Sequence, residues 1–445
     1  MNRLIVGLVC LVTPCCVVGR TPNVIVFLAD DMGIGDVGCY GCGDIQTPQL
    51  DSLARAGVRL TNFYVASPIC APSRAALITG RYPNRIGMST EKNIESGMDQ
   101  PGIPSSEITL AELVRPQGYA TAALGKWHLG STHDTQPNAQ GFDLFFGHHG
   151  SCIDAFSHMY YASLPYYHDL YRNRQEVFED GMHMTDLITR EAVRFIEENK
   201  SRPFLIYAAY NAPHYPMVAH GRFHRQYAHL PRARRDYAAM VAGLDESIGI
   251  IMGKINELGL TEDTFVFFTS DNGAADPSPR GEGGGSNAPY REYKRSLFDG
   301  GIHMPAIISW PKRVRGGQVR DQLAVAMDLF ATVAEITGSR LPPDHVIDGR
   351  SWMPFLLDPS KPGHDVLYFE WDGQQAVRQG KWKVVRNGLM NMAQGRTTRA
   401  TGDDVVFLVD LSADPGEKVN VCQEHPDVAQ QLLRLHAQWQ SMKAK

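Results

Sequence analysis

The chain has 445 residues, 43% of them hydrophobic, and a formal net charge of −5 at pH 7. A chain of this length can bury a large core and form one big domain with a smaller companion. Its slightly acidic balance excludes the basic surface of a nucleic-acid-binding protein, so an anionic ligand has to meet local positive charge.

The N-terminus has the pattern of a secretory signal peptide. A mostly apolar run covers residues 4–18, and the small residues Val17 and Gly19 suit cleavage after Gly19. The run contains Pro14 and is shorter than the ~20 residues that a membrane-spanning helix needs. We therefore predict a signal peptide over 1–19, a secreted or periplasmic mature protein and no membrane span.

Apolar runs rich in β-formers alternate with helical patterns through most of the remaining chain. The predicted strands are Val24–Ala29, Ala120–Leu124, Phe204–Ala209, Thr264–Thr269 and Pro305–Trp310. The predicted helices are Pro48–Ala56 with Thr47 as its cap, Thr185–Asn199, Arg232–Leu258 and Asp328–Thr337. This alternation predicts an α/β domain with a large, mostly parallel sheet between helices, and we assign it residues 20–350.

Cys70 stands just ahead of a helix that Pro72 is expected to start. Proline suits the first helical turn, and the free amides of that turn, with the helix dipole, attract an anion. Arg74 adds a fixed positive charge. Taken alone, Cys70 also fits a buried small apolar residue at a loop–helix junction.

The pattern changes after Asp348-Gly349. Four short strands, Val366–Trp371, Gln375–Arg378, Trp382–Arg386 and Val405–Asp410, precede a last helix over about 427–442. This order predicts a small α+β domain over 351–445. Before it, the segment from Gly273 to Pro289 is rich in glycine, proline and serine and predicts a long loop.

Polar side chains follow the ends of four predicted strands. They are Asp30 and Asp31 after the first, Lys126 and His128 after the second, His214 after the third, and Asp271 and Asn272 after the fourth. Open α/β sheets bind ligands at this edge. The oxygens of Asp30, Asp31, Asp271 and Asn272 suit a hard cation such as calcium or magnesium.

Each of these groups also has an ordinary explanation. Asp-Asp before glycine suits a cap, and Asp-Asn-Gly suits a turn. Lys126, His128 and Lys294 fit a solvated surface, and His214 fits a proline-bounded loop. Four cysteines besides Cys70 follow the predicted signal peptide and permit disulfides, namely Cys39, Cys42, Cys152 and Cys422.

The string from Cys70 to Gly80 resembles the sulfatase signature C-x-P-S-R-x-x-x-x-T-G at every fixed position. Further blocks resemble that family in its order: 23–33, 47–51, 125–130, 212–214, 270–273, 297–302 and 410–420. The resemblance implies an alkaline-phosphatase-like fold and sulfuric ester hydrolysis. It also implies that a maturing enzyme oxidises Cys70 to formylglycine, an aldehyde whose hydrate is the nucleophile.

The resemblance assigns a role to each matched residue. It implies a calcium ion held by Asp30, Asp31, Asp271, Asn272 and an oxygen of modified Cys70. Arg74 would hold the formylglycine hydrate, while Lys126 and Lys294 bind sulfate oxygens. One hydroxyl of the hydrate would attack sulfur, His214 with Lys294 would assist the leaving alcohol, and His128 would take the proton of the second hydroxyl to release sulfate.

Two positions depart from the family pattern. Arg295 stands where members of the family often have glycine, and His303 stands where arginine is frequent. Both leave the implied catalytic set intact, but they put the local loop shape and the fit of the substrate in doubt.

The loops predicted to set specificity are 147–150, the stretch 152–161 with Asp154 and His158, and 273–293. Their aromatic and histidine residues suit a sugar, so we expect a sulfated carbohydrate substrate. One alternative is a phosphodiester or phosphonate monoester hydrolase with the same modified cysteine. Another is a catalytically silent glycan-binding protein.

Overall fold

The computed structural model describes residues 21–88, 99–162, 164–277, 283–394 and 396–442. The predicted signal peptide lies outside these residues. Within the described part, every helix is too short or too polar to cross a membrane.

A ten-stranded sheet forms the centre of the molecule. Its strands are β1 (Asn23–Ala29), β2 (Val58–Leu60), β3 (Ala120–Lys126), β4 (Leu144–His148), β5 (Tyr171–Arg172), β6 (Gln175–Glu176), β7 (Phe204–Ala209), β8 (Thr264–Ser270), β9 (Ala306–Ser309) and β10 (Gln318–Arg320). Their spatial order is β10-β2-β9-β8-β1-β7-β3-β4-β5-β6. The central strands β8, β1, β7, β3 and β4 run parallel. The mostly parallel sheet is as predicted, although the sequence analysis did not predict β4.

Helices cover both faces of this sheet. They are α1 (Pro48–Ala56), α2 (Cys70–Thr79), α3 (Leu110–Val114), α4 (Met184–Asn199), α5 (Gly221–Gln226), α6 (Arg232–Glu257), α7 (Asp299–Ile302), α8 (Asp328–Thr337), α9 (Met353–Leu357) and α10 (Pro426–Ser441). Alternate residues of β1 enter two separate cores, one with α2, α3, α8 and α9 and the other with α1, α4, α5 and α6. A strand buried on both faces explains why β1 reads as an unbroken apolar run.

A smaller antiparallel sheet follows, with strands β11 (Val366–Trp371), β12 (Gln374–Gln379), β13 (Trp382–Arg386) and β14 (Val406–Asp410). One of its faces packs against α10 through Val377, Val384 and Leu408. Its other face adds Phe369 and Trp371 to the core beneath the large sheet. The mixed fold with a smaller C-terminal sheet is therefore confirmed, while the division at residue 350 stays a prediction.

Several local details differ from expectation. Helix α2 begins at Cys70 itself, with Pro72 inside the first turn, because Ser73 N already donates to Ile69 O at 3.2 Å. The Thr47 side chain makes no capping bond to α1, since it accepts from Gly38 N at 2.8 Å and donates to Asp51. The cysteines that the structure describes are all free, so no disulfide forms among them.

Candidate active site

The parallel strands bring the predicted site residues to one edge of the sheet. Because β8, β1, β7 and β3 are neighbours, the segments that follow them lie side by side. Ligand atoms of Asp30, Asp31, Cys70 and His214 lie within 4.8 Å of one another. The ends of these strands thus bring the side chains into one compact group.

Cys70 lies at the buried start of α2. Its Sγ atom is 3.6 Å from Asp30 Oδ1, and every residue of the helix is buried. Burial raises the pKa of the Cys70 thiol to about 12. An unmodified thiol at this position is therefore protonated and a weak nucleophile at neutral pH.

Three cations surround the cysteine and pair with the three aspartates. Lys126 Nζ lies 2.6 Å from Asp30 Oδ2, and Lys294 Nζ lies 2.7 Å from Asp31 Oδ1. The Arg74 guanidinium donates to Asp271 Oδ2 at 2.8 Å and to the Lys126 carbonyl at 3.0 Å.

Both lysines remain charged. Burial alone would lower the pKa of Lys126, but the negative groups around it, Asp30 foremost, together outweigh burial and raise that pKa. Lys294 behaves in the same way, because Asp31 raises its pKa well above the ordinary value. The site therefore presents fixed positive charge to an anion.

The carboxylates carry a mutual repulsion that a cation would relieve. Burial and the nearby Asp30 charge raise the pKa of Asp271 to about 6. Burial acts against ionisation of Asp31 as well, but the positive groups around it, Lys294 foremost, together outweigh burial and lower the pKa. The negative charge of Asp271 is thus disfavoured, whereas that of Asp31 is favoured.

Asn272 supplies an oxygen that lacks a partner. Its Nδ2 donates to Asp31 Oδ1 at 2.7 Å, whereas its buried Oδ1 has no hydrogen-bond partner among the described residues. A buried acceptor without a donor is rare in folded proteins. Together with the crowded carboxylates, this oxygen gives a donor set that fits a calcium ion.

His214 and His128 lie at the same edge. His214 Nδ1 contacts the Tyr215 carbonyl at 2.7 Å, so Nδ1 carries the proton and Nε2 faces Asp31 Oδ2 at 3.7 Å. Burial and the Lys294 charge lower the pKa of His214 to about 3. His128 follows β3 with φ of 54°, and its amide donates to the His149 carbonyl at 3.1 Å.

The segment that carries Lys294 is held from two sides. Lys294 N donates to Ala274 O at 3.0 Å, and Arg295 N donates to Pro68 O at 2.7 Å, just ahead of α2. On the other side, Gln374 Nε2 donates to Arg295 O at 2.8 Å. Gln374 is fully buried in the small sheet, and sequence reasoning missed it because a glutamine at a strand start carries no signal of its own.

The two departures from the family pattern have distinct surroundings. Arg295 has φ of 76°, a left-handed conformation that favours glycine. His303 is buried, contacts Asp299 Oδ2 at 3.1 Å and Thr61 O at 2.9 Å, and stacks on Tyr290 with ring centres 4.2 Å apart. The loop keeps Lys294 against Asp31 despite both changes.

The predicted specificity loops have mixed outcomes. Asp154 accepts bonds from Phe156 N and Ser157 N, so it stabilises its own turn. His158 is buried, so it does not lie on the loop surface where a sugar could contact it. The described parts of the predicted long loop 273–289 contain neither helix nor strand.

A cavity of about 170 Å³ lies beside His149, which directly follows the residue paired with Lys126. Sequence reasoning missed three members of its wall, Tyr167, Asp169 and Tyr171. Asp169 accepts from His149 N at 3.1 Å and from Gly150 N at 2.7 Å, and burial raises its pKa to about 6.

Paired cations and carboxylates around a buried cysteine, at the strand ends of a parallel α/β sheet, are typical of a hydrolase that acts on an oxyanion ester. The chain belongs to the sulfatase family, because the Sulfatase family model matches residues 22–339. The model for the C-terminal part of N-sulphoglucosamine sulphohydrolase matches residues 291–445. The protein is thus a sulfuric ester hydrolase, as the signature around Cys70 predicts.

Individual relatives match this chain over nearly its whole length. Rat N-acetylgalactosamine-6-sulfatase is 35% identical over 430 residues, which cover 90% of this chain and 81% of the relative. Human arylsulfatase A is 32% identical over 460 residues, covering 96% and 89%. The crystal structure of Ps i-CgsB in complex with k-i-k-neocarrahexaose matches with a TM-score of 0.84 and 30% identity, covering 94% of this chain and 93% of that one.

Proposed function

We propose that this protein hydrolyses sulfate esters of carbohydrates, with Cys70 converted to formylglycine beside a bound calcium ion. The observation that carries the proposal is the convergence of Cys70, Asp30, Asp31 and His214 within 4.8 Å. Lys126 and Lys294 add positive charge at the same point. This combination suits an anionic ester held next to a nucleophile.

Each implied group has residues that would hold it. Asp30, Asp31, Asp271, Asn272 and an oxygen at position 70 would bind calcium, which neutralises charge on the sulfate when bound. As its hydrate, formylglycine would supply an attacking hydroxyl and keep a second one for sulfate release. The conversion is needed because this reaction uses two oxygens on one carbon, which the unmodified Cys70 side chain does not supply.

The chain's own residues would then complete the reaction. Lys126 and Lys294 would stabilise negative charge on the sulfate oxygens, and Arg74 would orient the group at position 70. An incoming sulfate would raise the pKa of His214 from about 3, which prepares its ring to protonate the departing alcohol. His128 would accept the proton that accompanies sulfate release.

A carbohydrate substrate has two lines of support. One relative is named for 6-sulfated N-acetylgalactosamine, and a structural neighbour is described in complex with k-i-k-neocarrahexaose. The cavity beside His149 also offers Tyr167, Tyr171 and Asp169, which suit stacking and hydrogen bonding to a sugar ring. Export through the predicted signal peptide at 1–19 and a maturing enzyme acting on Cys70 complete the proposal.

Mass spectrometry of the tryptic peptide that contains Cys70 is the first test. The protein would be produced with and without a sulfatase-maturing enzyme. We expect the mass of this peptide to fall by the difference between cysteine and formylglycine, and only in the matured sample. Unmodified Cys70 in an active, matured sample would overturn this part of the proposal.

Substrate assays on the matured enzyme test the rest. We expect turnover of aryl sulfates and of 6-sulfated N-acetylgalactosamine oligosaccharides, and a fall in kcat/KM of about 10³ or more in Cys70→Ala. Preference for a matched aryl phosphate would favour the phosphodiester or phosphonate alternative. Glycan binding without turnover would favour the non-catalytic one.

A further inference from the structure

A second group of metal-ligating side chains lies in the region between β4 and α4, outside the proposed calcium site. His158 lies one residue before the short strand Met159–Tyr160, and His168 belongs to its antiparallel partner Tyr167–His168. Asp180 follows a few residues before α4. One ligand atom from each of His158, His168 and Asp180 lies within 4.8 Å of the other two.

The ring of His158 has an unused acceptor nitrogen. Its Nε2 is 3.1 Å from the Met182 carbonyl, and since a carbonyl only accepts, Nε2 carries the proton. The lone pair is therefore on Nδ1, which is buried and has no hydrogen-bond partner among the described residues.

His168 is fixed in the complementary tautomer. Its Nδ1 is 3.1 Å from Glu176 Oε1, which assigns the proton to Nδ1 and the lone pair to Nε2. That Nε2 is buried, makes no hydrogen bond within the described chain, and lies 3.9 Å from Asp180 Oδ1. Phe178 stacks on the ring with centres 4.5 Å apart and shelters it from solvent.

We propose that His158 Nδ1, His168 Nε2 and the Asp180 carboxylate bind a divalent transition metal ion, with zinc the best match. Two imidazole nitrogens and one carboxylate form a ligand set that zinc prefers, with a water in the fourth position. Zinc distances of about 2.1 Å bring ligand atoms to roughly 3.4 Å apart, so atoms that now lie within 4.8 Å of one another have to close by up to about 1.4 Å. The half-exposed Asp180 side chain can supply the carboxylate's share of that movement.

The contacts around each histidine are those of a prepared metal site. Ligating histidines usually donate their second ring N–H to a carboxylate or a carbonyl, which fixes the ring. Glu176 serves His168 in this way, and the Met182 carbonyl serves His158. Two buried lone pairs that face one exposed carboxylate are thus explained together by a single ion.

The ion would stabilise the wall of the cavity beside His149. Asp169 N donates to the His158 carbonyl at 2.9 Å, and Tyr167 precedes His168 directly. A metal bridge between His158 and His168 would therefore tie this turn to the strand pair that carries the cavity residues. Its role is structural, away from the reacting atoms.

The chain contains a second group of two histidines and one aspartate, in which one histidine has both ring nitrogens engaged. His183, Asp186 and His220 are equally close together. However, His183 Nε2 contacts Val218 O at 2.8 Å, and its Nδ1 accepts from Thr185 N at 3.2 Å. Both ring nitrogens of His183 are already used, so this second group should not bind zinc and serves as an internal control.

Zinc titration of the full-length, matured protein tests the proposal. Transition metals would be removed by dialysis, and excess calcium would then be kept present during titration with zinc chloride. We expect the parent to bind one equivalent of zinc. His168→Gln and Asp180→Asn should each lower the zinc affinity by at least about 10-fold. Cobalt in place of zinc should give visible absorption bands of a four-coordinate ion that both variants lose.

The control variant is His220→Gln, which should keep the zinc equivalent. Zinc bound at the active site would persist in all variants, so only the difference between the parent and the variants counts. Thermal melting and aryl sulfate turnover establish that His168→Gln and Asp180→Asn are folded, since neither residue belongs to the proposed catalytic set. A parent that binds no zinc, or equal zinc affinity in the parent and both variants, would overturn the proposal.

Discussion

The proposed active site and the contact between the two sheets are both buried clusters of charge, yet their polar atoms are paired to different extents. In the contact between the sheets, Asp299 accepts from Lys383 Nζ at 2.5 Å, from His303 Nδ1 at 3.1 Å and from Tyr64 at 2.8 Å. Lys383 also donates to Glu417 Oε1 at 2.8 Å, and Glu417 Oε2 accepts from the Asp299 amide. We call these five residues the brace.

The active site has similar ion pairs but leaves atoms unsatisfied. Asn272 Oδ1 is buried and lacks a hydrogen-bond partner among the described residues. A fully satisfied buried network rigidifies a fold, whereas an incomplete one is costly unless a ligand completes it. The same difference separates His158 and His168 from His183.

The largest effect should follow removal of one carboxylate charge from the active site. Asp271→Asn keeps an oxygen for Arg74 but weakens the proposed calcium ligand set. We expect kcat/KM for an aryl sulfate to fall by about 10³-fold and calcium affinity to fall with it. The free energy of unfolding should drop by no more than about 2 kcal/mol, because the hydrogen bond to Arg74 persists.

Calcium content, steady-state kinetics and chemical denaturation would be measured on the same sample. Full activity with unchanged calcium content would show that Asp271 belongs to a structural pair like those of the brace.

A change in the brace should lower stability strongly and leave calcium affinity unchanged. Lys383→Met leaves Asp299 and Glu417 buried without their cation, so we expect unfolding to become easier by about 3–5 kcal/mol. Calcium affinity per folded molecule should stay near that of the parent. Lys381→Met is the matched control, because Lys381 is half exposed and its pair with Asp410 should contribute about 1 kcal/mol or less.

Gln374 connects the two regions, and its effect should be intermediate. Gln374→Ala removes the bond to the Arg295 carbonyl next to Lys294, so we expect kcat to fall about 10-fold through misplacement of the lysine. A double-mutant cycle with Lys294→Ala distinguishes this from a general loss of stability. If Gln374 acts through Lys294, its effect on kcat should nearly vanish in the Lys294→Ala background, whereas additive effects would contradict the positioning role.

The brace should also give stability a pH dependence. Burial and the Asp299 charge raise the pKa of Glu417 from 4.5 to about 7 in the folded protein. The folded state then holds a proton that the unfolded chain has released, so the stabilisation is complete below pH 4.5 and is lost as the pH rises through 7.

Glu417→Gln should remove the part of the slope that Glu417 contributes, which amounts to at most about 1.4 kcal/mol per pH unit. Urea denaturation between pH 5 and 8 measures it. Glu424→Gln at an exposed position is the control and should keep the slope of the parent. An unchanged slope in Glu417→Gln would assign the pH dependence to other groups.

The sequence predicted the parts of the molecule whose signals are local. The apolar runs of β1, β3, β7 and β8 identify parallel strands, and parallel strands bring their C-terminal ends to one edge. This topology alone is enough to gather Asp30, Asp31, Lys126, His214 and Asp271 at that edge. The signature at Cys70 then indicates the chemistry.

Contacts made by packing could not be predicted in this way. Gln374 reaches Arg295 only because the small sheet packs on the large one, and nothing near either residue indicates it. Hydrogen bonds to neighbouring backbone decide whether a polar side chain is available, as for Asp154, which is engaged in its own turn. The orphaned nitrogens of His158 and His168 are likewise visible only in three dimensions.

The smallest expected effect concerns the backbone at the junction of the two regions. Arg295 has φ of 76°, a conformation that costs a non-glycine residue about 1–2 kcal/mol. Arg295→Gly removes that cost but adds about 0.5–1 kcal/mol of entropy loss on folding, so we expect a gain in stability below about 1 kcal/mol and unchanged kcat. The reverse change, Gly259→Ala, is the control, since Gly259 has φ of 66° with open space around it and should lose about 1 kcal/mol. A loss of activity in Arg295→Gly would mean that the arginine side chain itself contributes to Lys294 placement, beyond the carbonyl that Gln374 holds.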